Sequence, residues 1–283
     1  MKVFLNCCLI VFSVIVFQAC DKVSAPYKQT IPVTPPPTNV VQKKVLVEDY
    51  TGHKCGNCPR ASKEIYDLKA IYGDRLVIMA IHAGGFATTF PQGAPYYTYD
   101  FRTTSGTELD TDFGISLAGN PNGMVNRIQV AGSYIIGATK WVSEVGKIVS
   151  DTNAAPVKIT VNNNFNSTSR ELQTEISSEF LTTLSGNYKL CVFMVEDSIV
   201  NWQKDYDTSP EDVEFYVHRE VLRASLNTTY GATVTPTTSG TTNMLNYTYT
   251  IPVDWSAEHI SIIAYLYDEA TKEILQVEQR EIE

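Results

Sequence analysis

The hydrophobic positions that follow residue 43 predict a strand, a helix and a second strand. Residues 44–50 and 76–82 are short apolar runs rich in β-branched residues, which is the pattern of buried strands. Between them, Ala61, Ile65 and Leu68 recur at the spacing of one helix face. Because a strand, a crossover helix and a second strand form a parallel βαβ unit, we expect both strands to end at the same edge of a sheet.

Beyond residue 153 the hydrophobic pattern changes to short alternating stretches, separated by Gly, Asn, Thr and Ser. The stretches that we predict as strands cover residues 157–162, 171–180, 188–195, 245–251, 260–267 and 274–280. Several short strands with turn signals and little helix are typical of an antiparallel β-sandwich of immunoglobulin-like size. Residues 211–226 are the exception, and we expect an inserted helix there, with His218 on its surface.

These patterns predict two folded domains with a tether in front of them. Residues 44–153 are predicted as an α/β domain and residues 154–283 as an all-β domain. Residues 20–43 are rich in Pro, Thr and Val without any apolar period, which indicates an extended tether. Residues 83–112 are predicted as a long inserted loop, rich in Gly, Pro, Thr and Tyr, that either faces a substrate or covers the sheet.

The amino terminus has the pattern of an export signal. Lys2 precedes an apolar run over residues 7–17, which is well short of the roughly 20 residues that a membrane-spanning helix needs. Ala19 and Cys20 end this segment in a way that resembles the bacterial lipobox. We therefore predict a lipoprotein signal peptide over residues 1–19 and an acylated Cys20. An ordinary cleaved signal or an uncleaved anchor is the alternative.

The charge of the chain narrows the choice of partners. The formal net charge is −9, and no segment concentrates Lys and Arg. The chain therefore lacks the basic surface that neutralises phosphates, and we expect no nucleic-acid partner. We expect contact with the membrane through the N-terminal lipid, and a protein or peptide as substrate or ligand. The sequence indicates no cofactor.

Two cysteines stand at the start of the predicted helix. Cys55 and Cys58 enclose Gly and Asn and directly follow the first predicted strand. This position favours thiol chemistry, because a helix amino terminus stabilises a thiolate and a nearby second thiol can resolve a mixed disulfide. His82 ends the second strand and lies at the same sheet edge. A zinc or copper site built from His53, the two cysteines and His82 is the weaker alternative, since one close cysteine pair is poor evidence for a metal.

The strand and its dithiol resemble the thioredoxin superfamily. Asp49 precedes the first cysteine by the interval at which thioredoxins proper hold a buried carboxylate. The resemblance implies that Cys55 is the nucleophile, that Cys58 is the resolving thiol and that Asp49 relays a proton to and from the second thiol. A solvated carboxylate at the end of the strand is the alternative for Asp49.

A second part of the resemblance lies further along the chain. The segment that begins at Phe113 and reaches Asn120 and Pro121 is similar to the thioredoxin segment that leads into a cis-proline. The resemblance implies that Pro121 is that cis-proline and that Asn120 and His82 contact an extended peptide substrate. A trans turn is the alternative, because Asn-Pro-Asn-Gly is also a good turn sequence. Lys54 departs from the thioredoxin pattern, in which a Trp precedes the first cysteine.

Taken together, the lipobox, the CxxCP motif, the Asn-Pro-Asn-Gly-Met-Val-Asn-Arg run and the Tyr-Val-His-Arg sequence at residues 216–219 resemble a known family. It comprises the twenty-eight-kilodalton outer-membrane-protein-related lipoproteins of Bacteroidetes-type bacteria. The resemblance implies a thioredoxin-like domain joined to an immunoglobulin-like one, lipid-anchored in the cell envelope at the outer membrane. We expect thiol-disulfide exchange on exported proteins; the alternative is a non-catalytic surface binding or adhesion protein.

Overall fold

β-strands dominate the fold of this computed structural model, which describes residues 40–283. The strands in chain order are β1 (Val45–Thr51), β2 (Leu76–His82), β3 (Asn122–Val125), β4 (Ile136–Gly137), β5 (Val157–Asn166), β6 (Glu171–Phe180), β7 (Tyr188–Glu196), β8 (Ile199–Lys204), β9 (Asp212–His218), β10 (Val221–Ser225), β11 (Ala232–Val234), β12 (Thr242–Thr250), β13 (Ile260–Asp268) and β14 (Ile274–Glu281). The α-helices are α1 (Cys58–Tyr72), α2 (Thr104–Phe113) and α3 (Trp141–Ser150). In residues 40–283, no helix is long and apolar enough to cross a membrane. The predicted signal peptide, Cys20 and the tether up to residue 39 lie outside the described residues.

One sheet of nine strands runs through both predicted domains. Its spatial order is β14-β13-β7-β10-β2-β1-β3-β4, and β11 adds to it beside β7. Strand β10, from the second half of the chain, pairs in parallel with β2 through Val221 and Ala80. The expected boundary near residue 153 therefore does not interrupt the sheet, and residues 40–283 belong to one compact unit.

The predicted βαβ unit is confirmed. β1 and β2 pair in parallel, with Thr51 beside His82 at their carboxyl ends, and α1 connects them. Both strands are buried along their whole length. Helix α1 buries Ala61, Ile65 and Leu68 against this sheet, where each fully buried Leu or Ile contributes about 1.5–3 kcal/mol. The dithiol and His82 therefore lie at the same edge, as the order of the elements predicts.

In the second half of the chain, a small sheet packs on the large one. Strands β12, β6 and β5 form this antiparallel three-stranded sheet. Ile159 of β5 and Leu172 of β6 share a buried cluster with Val192 of β7 and Ile262 of β13. Inward and outward residues alternate along β6, because only one face of the small sheet meets this core. The strands that the sequence predicts here are confirmed.

The predicted helix over residues 211–226 is wrong. Strands β9 and β10 occupy this segment, and β9 pairs with β8 in a separate two-stranded sheet. Phe215 and Val217 are exposed whereas His218 is buried, so the residues alternate with the period of a strand. The expected surface position of His218 is therefore wrong as well.

Two further boundaries differ from the sequence prediction. The inserted segment 83–112 is not all loop, because α2 begins within it and the side chain of Thr103 caps the helix by accepting from the backbone N–H of Gly106 at 2.9 Å. The end of the predicted tether also belongs to the folded region, since Gln42 forms a β-bridge with Ala154. The folded region thus begins before residue 44.

A buried ion pair in the first half of the chain is hydrogen-bonded to a strand of the second half. Arg127, just after β3, donates to both carboxylate oxygens of Glu48 on β1, at 2.8 and 2.7 Å. The same guanidinium donates to the hydroxyl of Tyr265 on β13 at 2.7 Å. Both charged side chains are buried, so each charge depends on the other for compensation.

Candidate functional site

The two cysteines lie where the chain passes from β1 into α1. Cys58 is the first residue of the helix, and Pro59 occupies its first turn, where a missing backbone N–H costs nothing. Cys55 and Cys58 are joined by a disulfide, with Cα atoms 5.4 Å apart. Each of these cysteines is only 2% exposed. The dithiol is therefore present and oxidised, and it is covered.

Asp49 lies in the interior beside this dithiol. It stands on β1, is 3% exposed, and its Oδ1 has no hydrogen-bond partner among the described residues. Burial raises the pKa of this carboxyl group to about 7. The structure thus places Asp49 as a buried carboxyl group, and the solvated alternative does not apply.

A small cavity of about 20 Å³ connects Asp49 with the second cysteine. Its lining also includes His82 and His218, both of which are buried. Their ring centroids are 5.5 Å apart. A cavity of this size holds about one water molecule, which could satisfy polar atoms that have no partner in the protein. Both ring nitrogens of His82 are such atoms among the described residues.

Burial keeps these two histidines neutral. It lowers the pKa of His82 well below the usual value, and the neighbouring His218 and His53 lower it further. Burial also lowers the pKa of His218 to about 3, although its Nε2 lies 3.3 Å from the backbone oxygen of Trp202. The cavity therefore holds one carboxyl group that titrates near neutral pH, and two imidazoles that do not charge there.

Aromatic residues of the inserted segment pack against the histidines at this sheet edge. Phe101 stacks on His82, with ring centroids 4.6 Å apart, and lies equally close to His218. Tyr97 packs beside His53, with ring centroids 5.3 Å apart, and its hydroxyl donates to Asp212 of β9. The segment 83–112 thus covers the sheet edge, which is one of the two roles that the sequence predicts for it.

The β8–β9 hairpin also covers the dithiol. The backbone N–H of Lys204 donates to the carbonyl of His53 at 2.7 Å, and that of Tyr206 donates to the carbonyl of Gly56 at 2.9 Å. Sequence reasoning missed the hairpin and His218, because it assigned this segment to a helix. Apolar residues at every second position, Val213, Phe215 and Val217, have the period of a strand and are the signal that could have found the hairpin.

Asn120 and Pro121 lie at the same end of the sheet. The peptide bond between them is cis, so the trans alternative does not apply. The next residue, Asn122, begins β3 and pairs with Tyr50, which places Pro121 near the carboxyl end of β1. The side-chain amide of Asn120 is buried without a hydrogen-bond partner in residues 40–283. These two residues therefore lie at the sheet edge from which the dithiol loop leaves.

The structure also bears on the metal-site alternative and on the remaining cysteine of the folded region. In residues 40–283, no group of three or more His, Cys, Asp and Glu side chains could hold a metal ion, so His53 and His82 do not form such a group with the cysteines. Cys191 on β7 is free and buried, and burial raises the pKa of its thiol to about 12. A thiol in this state is an unreactive core residue.

With the fold and this site described, comparison with known proteins identifies the family. Residues 109–283 match the family model described as Outer membrane protein Omp28, and the chain belongs to this family. No curated protein matches the chain. Membership in a family of outer-membrane proteins confirms the predicted localisation at the outer membrane of the bacterial cell envelope.

Solved structures also resemble this chain. HBP35 of Porphyromonas gingivalis is 16% identical, with a TM-score of 0.65, over 86% of this chain and 76% of that chain. A domain of the outer membrane lipoprotein Omp28 from Porphyromonas gingivalis is 19% identical, with a TM-score of 0.32, over 47% of this chain and 92% of that one. The similarity to HBP35 shows a shared fold.

Proposed function

We propose that the chain is a cell-envelope lipoprotein that exchanges thiols and disulfides with exported proteins. One observation carries the proposal: Cys58, which is disulfide-bonded to Cys55 at the start of α1, lines the same cavity as the buried Asp49. The function rests on this site, since a fold alone does not fix a function.

The proposed reaction is a two-electron exchange. In the reduced protein, the Cys55 thiolate attacks a client disulfide, forms a mixed disulfide and releases one client sulfur as a thiolate. The Cys58 thiolate then attacks the Cys55 sulfur, which closes the protein disulfide and releases the second client sulfur. The client gains two electrons and the protein dithiol loses them; the reverse order of steps oxidises a client dithiol.

Two features of the site support this chemistry. The amino terminus of α1 carries the positive end of the helix dipole, which lowers the energy of a thiolate there. Asp49 has a pKa of about 7, so its carboxylate can take the proton of the Cys58 thiol and return it near neutral pH. In this proposal, Cys55 is the nucleophile, Cys58 resolves the mixed disulfide, and Asp49 relays the proton.

The proposed client is an extended segment of a protein or peptide. Asn120 and the cis peptide at Pro121 lie at the dithiol edge, and such a segment is proposed to pair with the backbone there. His82 is proposed to face the client through the same edge. We assign the first half of the chain to a thioredoxin-like domain and the second half to an immunoglobulin-like sandwich that shares its large sheet. Acylation of Cys20 is proposed to anchor both.

The test is the reduction potential of the pair together with exchange assays. In glutathione buffers we expect a potential between about −270 and −120 mV, the span of thiol-exchange proteins. Cys55→Ser should abolish reduction of a model disulfide peptide. Unchanged exchange by Cys55→Ser would refute the proposed function.

A second candidate function is a surface binding or adhesion protein whose disulfide is structural. The burial of both cysteines favours it, because an exchange site must meet its client. This function predicts a potential below about −300 mV and a Cys55→Ser/Cys58→Ser variant that melts at a lower temperature. An equal melting temperature in reduced and oxidised protein would contradict it.

A further inference from the structure

The β8–β9 hairpin stands apart from the two larger sheets. Among the described strands, β8 and β9 pair only with each other. The chain enters the hairpin through Ser198 and leaves it through Glu220, and both residues have a positive φ, of 60° and 48°. Such backbone is uncommon outside glycine, so both connections are sharp turns rather than continued strand. A two-stranded hairpin alone is marginally stable in water, so its position depends on what it touches.

The hairpin touches the dithiol loop through its backbone. Lys204 and Tyr206, two residues apart, each donate a backbone hydrogen bond to carbonyls of the loop, on His53 and Gly56. Lys204 ends β8 and Tyr206 lies in the turn that follows, so the end of the strand and its turn both contact the loop. These carbonyls flank Cys55, so the hairpin occupies backbone positions that an extended client would need in order to pair there.

Gln203 adds a side-chain contact at the centre of this surface. It is 2% exposed, and its Nε2 donates to the carbonyl of Cys55 at 3.0 Å. The ring of Tyr206 lies directly on Gly56, where an added Cβ atom would be 2.6 Å from the ring. These two side chains, with the backbone contacts, leave the disulfide covered.

The outer contacts of the hairpin are weak by comparison. Arg60 of α1 forms a bidentate ion pair with Asp207, but both side chains are more than half exposed, and exposed pairs contribute little stability. Trp202 makes an edge contact with Tyr96, with ring centroids 4.5 Å apart. At its base the hairpin is also anchored by the buried His218. Elsewhere a few polar and edge contacts hold it closed, and none of its described residues belongs to the main hydrophobic clusters.

We infer that the β8–β9 hairpin is a gate over the dithiol and that Gln203 is the positioning residue that keeps it closed. In the closed state the disulfide is shielded from reductants. When the gate turns about its connections at Ser198 and Glu220, Cys55 becomes accessible to a protein client. This inference rests on the proposed exchange function for its biological meaning, but not for its physical test.

The test measures how fast dithiothreitol reduces the disulfide in the full-length chain. Each dithiothreitol gives up two electrons and two protons, becomes its cyclic disulfide, and leaves Cys55 and Cys58 as thiols, which are counted by alkylation and mass. Gln203→Glu keeps the shape of the side chain but replaces the donor with a carboxylate that faces carbonyl oxygens. We expect reduction to become about tenfold faster. A rate within twofold of the unmutated protein would overturn the gate.

Two further variants serve as controls for this result. Gln203→Met keeps the length of the side chain without adding a charge, and we expect reduction to be about threefold to tenfold faster with circular dichroism unchanged. Gln173→Glu makes the same chemical change at an exposed position of β6 and should leave the rate unchanged. If Gln173→Glu accelerated reduction equally, the effect would be general destabilisation and the gate would be wrong.

The outcome separates the gate from the proposed function. Exchange with a model disulfide peptide by the unmutated protein, without any effect of Gln203→Glu or Gln203→Met on the dithiothreitol rate, would retain the function and refute the gate. Faster dithiothreitol reduction in both variants, with no peptide exchange by any form of the protein, would retain the gate and refute the function.

Discussion

The side-chain amide of Gln203 donates a hydrogen bond to the backbone carbonyl of Cys55, although 148 residues separate them along the chain. The bond links strand β8, from the second half of the chain, to the loop that carries the disulfide. The same loop also accepts backbone hydrogen bonds from Lys204 and Tyr206. Access to the disulfide therefore depends on a hairpin that is distant from it in sequence.

The two cysteines should differ in a trapping experiment. Cys58→Ser removes the resolving thiol, so a mixed disulfide between Cys55 and a client peptide should accumulate. Cys55→Ser should trap little, because Cys58 begins α1 and is proposed to act only in the second step. The measurement is a gel shift of the alkylated protein without reductant. Equal trapping by both variants would contradict the assignment of nucleophile and resolving thiol.

Asp49→Asn should stabilise the protein most at alkaline pH. The folded pKa of Asp49 is about 7, above its usual value of 3.8, so its contribution to stability is fully present below pH 4 and is lost as pH rises towards 7. The neutral amide avoids that loss, and we expect a gain of up to about 4 kcal/mol at pH 8 and little gain at pH 4. Urea unfolding of both proteins at pH 4 and pH 8 measures this difference in unfolding free energy. The same variant should slow thiol exchange at pH 7, which a purely structural aspartate would not do.

The histidines in the same cavity should have the opposite pH dependence. The pKa of His218 falls from the usual 6.5 to about 3, so its contribution to stability is fully present above pH 6.5 and is lost as pH falls towards 3. His218→Phe should therefore flatten the loss of unfolding free energy between pH 6.5 and pH 4 by up to about 1.4 kcal/mol per pH unit. His259→Phe, at a partly exposed position outside the cavity, is the matched control and should leave the slope unchanged. An unchanged slope in His218→Phe would contradict the buried neutral imidazole.

Arg127→Met should destabilise the fold by about 3–5 kcal/mol, because it leaves the Glu48 carboxylate buried without its partner. The comparison is Arg60→Met, which breaks the exposed pair with Asp207 and should cost far less, because water screens that pair. Urea unfolding at pH 7 measures both. Similar losses in the two variants would contradict a buried Glu48 carboxylate that depends on Arg127 for compensation.

Local sequence pattern determined where the dithiol and His82 lie. The apolar runs around residues 44–50 and 76–82 required only two short strands and a helix between them, and a βαβ unit has one favoured handedness. This was enough to bring Cys55, Cys58 and His82 to one edge, and the resemblance to thioredoxins singled out Asp49. Each of these inferences depends on residues that are close in sequence, where periodicity carries the information.

Only the tertiary structure decided what covers that site. His218 reaches His82 because β10 pairs with β2, through Val221 and Ala80, and no periodicity specifies which distant strands will pair. The same pairing merges two expected domains into one sheet and turns the hairpin that carries Gln203 towards the disulfide. The sequence therefore determined which groups could react, whereas long-range strand pairing decided that they are buried, since burial depends on partners that are far away in the chain.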